Sequence, residues 1–201
     1  FSASHIALSQ PSQWALPPLD LDAFQGFVNA ERAAVRTELI VVDPATPDAE
    51  GLLAHIRTDV TVQYQVHVLD ADRSGVAQVG ELLRSYGQVD AIHLLGHGAA
   101  AVISLGADQL RGDNAEHYRE ELQSWRAGLV EGADILFYGC EIAANEAGRD
   151  LLSNIAEWTG ADVAASDDKT GAAELGADWH LEYQHGRVDA LLPFAGAFEA
   201  T

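Results

Sequence analysis

The sequence predicts an α/β fold: a three-layer sandwich around a central, mostly parallel sheet. Short apolar runs rich in β-branched residues alternate with amphipathic stretches of about 12 residues, which is the pattern of βαβ units. The right-handed crossovers of such units force their strands to run parallel. The composition is that of one ordinary domain, with 48% hydrophobic and 21% charged residues in 201.

Residues 1 to 36 differ from the rest, and we predict that they form a separate N-terminal arm. Pro11, Pro17 and Pro18 fall in a stretch without strand-like alternation, and a helix is predicted from about Asp20 to Arg36. The sequence leaves open whether this arm covers a site as a pro-segment. Residues 37–201 are predicted to be the α/β domain.

The elements of this domain follow from local patterns. The run ELIVVD ends in Asp-Pro and is continuously apolar inside, as expected of a strand buried on both faces. Val76, Val79 and Leu83 recur at helical spacing, and Gly160 is a predicted helix C-cap. The predicted strands are 38–43, 61–70, 91–96, 102–105 (a short hairpin arm), 134–139, 162–165 and 179–183, and the predicted helices are 47–56, 75–86, 115–129 and 146–158.

The charge of the chain excludes several classes of partner. The formal net charge is −20, from 31 acidic and 11 basic residues. Nucleic acids and anionic membrane surfaces are bound through Lys and Arg, so neither is expected as a partner. No apolar stretch approaches the roughly 18 residues of a membrane span, and no GxGxxG or GxxxxGK phosphate loop occurs. Because the chain begins at Phe1 and lacks methionine, we expect a processed product or a piece of a longer protein.

Two chemically distinctive residues follow predicted strands. His97 lies in Gly96-His97-Gly98 after AIHLL, and the single cysteine, Cys140, follows DILFYG. Catalytic groups collect at the carboxyl ends of parallel strands, so we expect the two side chains to meet at one sheet edge. A thiol beside an imidazole is a nucleophile beside its base, with the N–H groups of Gly98 and Cys140 as oxyanion donors. The helix after Cys140 would lower the pKa of the thiol.

The alternative interpretation of this pair is structural. Free cysteines are among the most buried residues, so Cys140 can be a small core residue and His97 a loop histidine with its hydrogen bonds satisfied. Placement next to glycine at adjacent strand ends favours the catalytic interpretation.

A family resemblance adds to this interpretation. An apolar strand that ends in His-Gly, followed 43 residues later (140 minus 97) by an apolar strand that ends in a small residue and Cys, resembles the caspase-like cysteine peptidases. The runs ELIVVD, VHVLDADRSGVAQV, AIHLLGHG, ILFYGCEIA and VAASDDKTGAAELGADWHLEY resemble a bacterial domain found near the N-terminus of very large secreted, repeat-rich, adhesin-like proteins. This resemblance covers residues 37–190.

The resemblance implies a function and a location. His97 would be the general base and Cys140 the nucleophile of peptide-bond hydrolysis, with a polypeptide, or the parent chain itself, as substrate. No cofactor would be required, and the protein would be extracellular or on the bacterial cell surface. The alternative function is a catalytically silent module of such a surface protein, serving export, retention or binding.

The same resemblance places a substrate pocket at Ser166, Asp167 and Asp168, after the strand at 162–165. Acidic side chains there would favour Lys or Arg before the cut. The alternative is a solvated acidic turn.

A second constellation has the spacing of a calcium loop. Asp70, Asp72, Ser74 and Glu81 match the EF-hand pattern with Ser at its fifth position, so calcium is one expected ligand. A strand rather than a helix precedes the loop, however. Capping chemistry favours the alternative, a strand-to-helix turn with Asp72 or Ser74 as the helix N-cap.

Overall fold

The structure, a computed structural model, describes residues 35–171 and 177–194. All of the described residues belong to one compact unit. The predicted N-terminal helix lies outside the described residues except for its last two positions. There the prediction is wrong, because Arg36 is the first residue of a strand.

A central sheet of six strands confirms the predicted fold class. Five of its strands are parallel, and the last runs antiparallel at one edge. The strands of the domain are β1 (Arg36–Val42), β2 (Val62–Val68), β3 (Val89–Leu95), β4 (Gly98–Ala99), β5 (Val102–Leu105), β6 (Asp108–Arg111), β7 (Leu129–Tyr138), β8 (Asp162–Ala165) and β9 (Tyr183–His185). The six lie in the order β2-β1-β3-β7-β8-β9, and β4-β5-β6 form a small antiparallel sheet of their own.

Helices cover mainly one face of the large sheet. They are α1 (Ala49–Leu53), α2 (Gly75–Tyr86), α3 (Arg119–Trp125) and α4 (Glu146–Thr159), with a 3₁₀ turn at Ala115–Tyr118. The apolar residues of α2, α3 and α4 form one buried cluster with alternate residues of the strands. The other strand residues pack against α1 and the C-terminal segment up to Phe194. The sheet is therefore the middle of three layers.

Helix α2 shows why the first and last residues of some helices could be predicted from the sequence. Its apolar residues recur at helical spacing, and Ser74 caps its N-terminus by accepting a hydrogen bond from the Ala77 N–H at 3.1 Å. This confirms the predicted turn at the start of the helix. The C-terminus of α4 likewise ends at Gly160, which has a left-handed φ of 71°.

Several predicted elements differ from the structure. The helix predicted over 115–129 ends at Trp125, because the following apolar residues begin the long strand β7. The strand predicted at 179–183 lies instead at Tyr183–His185, where it pairs with β8. Helix α1 is shorter than the predicted 47–56. Among the described residues, no helix is long and apolar enough to cross a membrane.

Candidate functional site

His97 and Cys140 leave the sheet from neighbouring strands. Strands β3 and β7 are parallel and in register up to Leu95 and Tyr138, and each candidate residue follows two positions later. The Gly96 N–H continues the pairing by donating to the Tyr138 carbonyl at 3.2 Å. Both loops therefore start side by side at the carboxyl edge of the sheet.

The two loops touch backbone to backbone, and glycine makes this contact sterically feasible. A Cβ atom on Gly98 would lie 2.8 Å from the Cys140 carbonyl oxygen and 2.6 Å from Ile142 Cγ1. A Cβ atom on Gly139 would lie 3.0 Å from the Gly98 nitrogen. The close approach thus depends on glycine in both loops, and it brings the backbone of Gly98, a predicted oxyanion donor, against the Cys140 loop.

The imidazole of His97 is exposed but oriented. Its Nε2 lies 2.8 Å from the carbonyl oxygen of Ala45, in the turn after β1. A carbonyl only accepts hydrogen bonds, so this contact places the ring proton on Nε2 and leaves the lone pair of the neutral ring on Nδ1. The His97 carbonyl in turn accepts from the Ser104 N–H at 3.2 Å. The ring and the backbone of His97 are therefore held by different elements.

Cys140 is partly buried, and its loop is fixed on the side away from His97. Its Sγ donates a weak hydrogen bond to the Thr170 carbonyl at 3.7 Å. The next residue, Glu141, has a left-handed φ of 58°, and its N–H donates to the Asp168 carbonyl. A non-glycine residue in this conformation is strained, and such strain concentrates at functional sites.

The helix that follows Cys140 starts at Glu146, as predicted. Helix α4 begins at Glu146, and its first turn is capped by the Asn145 side chain, which accepts from the Gly148 N–H at 2.9 Å. An asparagine cap and an acidic first-turn residue already satisfy its N-terminus.

The predicted pocket residues lie beside the Cys140 loop but play different roles. Ser166 is fully buried, and its hydroxyl accepts from the Asp168 N–H at 3.1 Å. The Asp168 side chain is exposed, and its carboxylate converges with those of Asp178 and Glu182, with ligand oxygens within 4.8 Å of one another. Asp167 donates its N–H to Glu182 at 3.0 Å. Three carboxylates therefore lie close together beside the segment that binds the Cys140 loop through the Glu141 N–H.

The predicted calcium loop is differently organised. Glu81 forms an ion pair with Arg73 at 2.8 Å, while Asp70 Oδ1 accepts from the Asp72 N–H at 2.9 Å. Ser74 is the helix cap, and its hydroxyl donates to Asp108. In the part of the chain that the structure describes, the metal-ligand atoms of Asp70, Asp72 and Glu81 do not converge as those of the Asp168 group do. Calcium binding at this loop would require Arg73 to release Glu81.

Sequence reasoning missed the elements that hold His97. Asp43 and Ala45 lie at the carboxyl end of β1, which is the neighbour of β3 in the sheet. The rule that functional groups gather at the carboxyl ends of parallel strands applied to them as well. The signal was present, because the apolar run ELIVVD ends in a carboxylate.

The fold and the site together define the class of this protein. It is an α/β domain with a polar site at the carboxyl edge of its parallel sheet. Residues 39–201 match the family DUF4347, described as a domain of unknown function, and the chain belongs to this family. A search of the curated proteins finds no match. Among solved structures, the chain is similar to one titled "Crystal structure of a small-chain dehydrogenase", with a TM-score of 0.33 and 11% identity over 67% of this chain and 80% of that one.

Proposed function

We propose that this chain is a caspase-like cysteine endopeptidase in which His97 is the general base and Cys140 the nucleophile. The observation that carries the proposal is the oriented imidazole of His97, on a loop that packs directly against the Cys140 loop. The resemblance of residues 37–190 to caspase-like peptidases and to secreted adhesin-like proteins supports it. On this basis we place the domain outside the cell or on the bacterial surface.

The proposed reaction uses both residues twice. The Cys140 thiol gives its proton to Nδ1 of His97, and the thiolate attacks the carbonyl carbon of the peptide bond. The imidazolium then returns the proton to the leaving amine, so the C–N bond breaks and a thioester forms. Water, deprotonated by His97, hydrolyses the thioester and regenerates the thiol. The backbone N–H groups of Gly98 and Cys140 are the proposed donors to the oxyanion.

The substrate is a polypeptide with a basic residue before the cut, and the parent chain is one such substrate. The acidic side chain of Asp168 supports this preference, because Asp178 and Glu182 add negative charge beside it. Asp167 and Ser166 contribute less directly, since Ser166 is buried.

One observation favours the second candidate function, a catalytically silent module of a surface protein. The Cys140 thiol donates to the Thr170 carbonyl at 3.7 Å, so in this structure its proton faces a backbone acceptor that cannot act as a base. In this alternative the domain serves export, retention or binding.

The reactivity of the thiol separates the two functions. Because the chain has one cysteine, the rate of iodoacetamide labelling reports on Cys140 alone. We expect fast labelling near pH 7 that slows about tenfold or more in His97→Ala, since a paired imidazole promotes thiolate formation. His185→Ala, at an exposed histidine of the edge strand β9, is the matched control and should label at the wild-type rate.

Cleavage is then measured on a peptide library with basic or acidic residues before the cut. Activity should vanish in Cys140→Ala and His97→Ala. Asp168→Asn should lower the preference for basic over acidic peptides, whereas Asp113→Asn, at an exposed carboxylate elsewhere, should not. If both labelling and cleavage are independent of His97, the peptidase proposal fails and the catalytically silent module is the function that remains.

A further inference from the structure

We propose that Asp43 is a positioning residue that fixes the Ala45 carbonyl and, through it, the imidazole of His97. The inference rests on the proposed function, because the orientation of His97 affects chemistry only if His97 acts on Cys140. It goes beyond the dyad in assigning a role to a buried carboxylate on a third strand, β1.

Asp43 is buried and accepts two backbone hydrogen bonds, one with each carboxylate oxygen. It is 3% exposed, Oδ1 accepts from the Ala45 N–H at 2.9 Å, and Oδ2 accepts from the Gly106 N–H at 2.7 Å. Burying a carboxylate is costly, and charge-assisted hydrogen bonds offset that cost only where the donors are in place. Closing the Ala45 turn alone would require a single acceptor, which Asn or Ser supplies.

The first hydrogen bond closes the turn that holds the ring of His97. The Ala45 peptide gives its N–H to Asp43 and its carbonyl to His97 Nε2, so the carboxylate and the imidazole are joined through one residue. The turn is also tied to β3. The Asp43 N–H donates to the Leu95 carbonyl at 2.7 Å, and the Thr46 hydroxyl donates to the same oxygen at 3.0 Å. Leu95 lies two residues before His97.

The second hydrogen bond holds the backbone side of His97. Gly106 lies between β5 and β6 with a left-handed φ of 54°, a conformation that favours glycine. The same hairpin carries Ser104, whose N–H donates to the His97 carbonyl. One carboxylate therefore links the turn that orients the ring to the hairpin that fixes the backbone, and both of its oxygens are required.

Three variants test this role. Asp43→Asn keeps the volume but has one acceptor oxygen, so either Ala45 or Gly106 loses its partner. Thr46→Val removes a second side-chain anchor of the same turn, the hydroxyl bond to the Leu95 carbonyl, without changing any buried charge. Asp134→Asn is the matched control, because Asp134 is also a buried carboxylate that accepts two backbone N–H groups, from Asp189 and Ala190.

The first readout follows His97 and does not depend on peptidase activity. In protein labelled with ¹⁵N-histidine, the His97 ring signals are assigned by their absence in His97→Ala. We expect the Nε2 proton to be protected from solvent exchange in the wild type, and protection to fall about tenfold in Asp43→Asn, because a held hydrogen bond is loosened. Thr46→Val should weaken protection less, and Asp134→Asn should not change it. Unchanged protection in a folded Asp43→Asn overturns the proposal.

The second readout is the pH dependence of Cys140 alkylation. Asp43→Asn should slow alkylation about tenfold at pH 7 and leave it unchanged near pH 10, where a free thiol with a pKa of about 8.5 ionises unaided. A general loss of structure would alter both rates. Should Asp43→Asn fail to fold, Thr46→Val serves alone: reduced protection and slower alkylation at pH 7 support the proposal, and wild-type values of both contradict it.

The two readouts separate the failure of this inference from failure of the proposed function. If Asp43→Asn lowers protection of His97 while His97→Ala leaves alkylation unchanged, Asp43 positions His97 but the dyad does not exist. If His97→Ala slows alkylation and Asp43→Asn changes neither readout, the dyad stands and the positioning role is lost.

Discussion

Single polar residues in the core carry hydrogen bonds across three strands. Glu38, His93 and Tyr138 belong to β1, β3 and β7, and all are buried. His93 Nε2 lies 2.9 Å from Glu38 Oε2, and Nδ1 lies 3.1 Å from the Tyr138 hydroxyl. Burial, followed by the charge of Glu38, raises the pKa of Tyr138 well above its usual value. The phenol therefore stays protonated and can donate to Nδ1, while Nε2–H donates to the carboxylate.

The burial of these polar core residues could not be predicted from the sequence, and the reason is physical. Glu38 and His93 lie in strands whose other residues are apolar, and polarity alone predicts exposure or a strand end. Their burial is stable because each finds its partner on the neighbouring strand, and such partners depend on strand order. His97 and Cys140 were identified more easily, since glycine and strand ends mark them locally.

Asp134 allows a prediction about pH and stability. Burial raises the pKa of this carboxyl, and the hydrogen bonds from Ala190 and Asp189 together with the charge of Arg36 only partly counter that effect. The folded chain therefore holds this proton more tightly than the unfolded chain. Its stabilising contribution is complete below the ordinary value of 3.8 and is lost as pH rises through the raised pKa.

We therefore expect the free energy of unfolding of Asp134→Asn to increase relative to that of the wild type as pH rises from below 3.8 to neutrality. The asparagine oxygen still accepts the two backbone N–H groups, while the buried carboxylate charge is removed together with its ion pair to Arg36 at 3.6 Å. Asp134→Ala removes this acceptor and should cost about 1–3 kcal/mol relative to Asp134→Asn. Urea denaturation between pH 3.5 and 7.5 measures both. A difference between Asp134→Asn and wild type that is constant with pH would contradict the assignment.

At the scale of elements, local signals decided how well each bound was predicted. Gly75–Tyr86 was predicted correctly because its apolar spacing and its capping serine agree. The end of α3 was missed, since Trp125 and Leu129 are at helical spacing although Leu129 belongs to β7. The strand at Tyr183–His185 depends on pairing with β8, a non-local contact that alternation in residues 179–183 did not reveal.

The close contact between the His97 loop and the Cys140 loop leads to a prediction at the scale of elements. A methyl group on Gly98 would meet the Cys140 carbonyl and Ile142, so Gly98→Ala must push the two loops apart. We expect a loss of about 1–3 kcal/mol in the free energy of unfolding, typical of overpacking, together with slower labelling of Cys140 at pH 7.

Gly112→Ala is the control for this substitution. The nearest atom to its added Cβ is the Ala147 carbonyl oxygen at 4.0 Å, so the methyl group fits in ordinary contact. Stability within about 0.5 kcal/mol of wild type and an unchanged labelling rate are expected. Equal effects of the two substitutions would show that the loop contact is not tight.

At the scale of the whole molecule, the order of the strands brings the site together. Because β1, β3, β7 and β8 are consecutive in the sheet and parallel, Ala45, His97, Cys140 and Ser166 all follow strand ends on one edge. The alternation of strands and helices predicted this edge without any side-chain contact. The hairpin arm predicted at 102–105 is strand β5, but its partners β4 and β6 were not predicted, because strands of two to four residues leave no periodic signal.

The net charge of −20 makes the last prediction, which concerns the stability of the whole chain. Repulsion among like charges destabilises the compact state, and its range falls from about 30 Å at 10 mM salt to about 8 Å at 150 mM. Raising NaCl over this interval should therefore raise Tm by roughly 2–4 °C. CaCl₂ at matched ionic strength should give a similar shift if screening alone acts. An additional Tm shift in CaCl₂ that is lost in Glu81→Gln would instead show that calcium displaces Arg73 and occupies the Asp70–Glu81 loop. A Tm that does not change with NaCl would show that the acidic charges are too dispersed to repel one another.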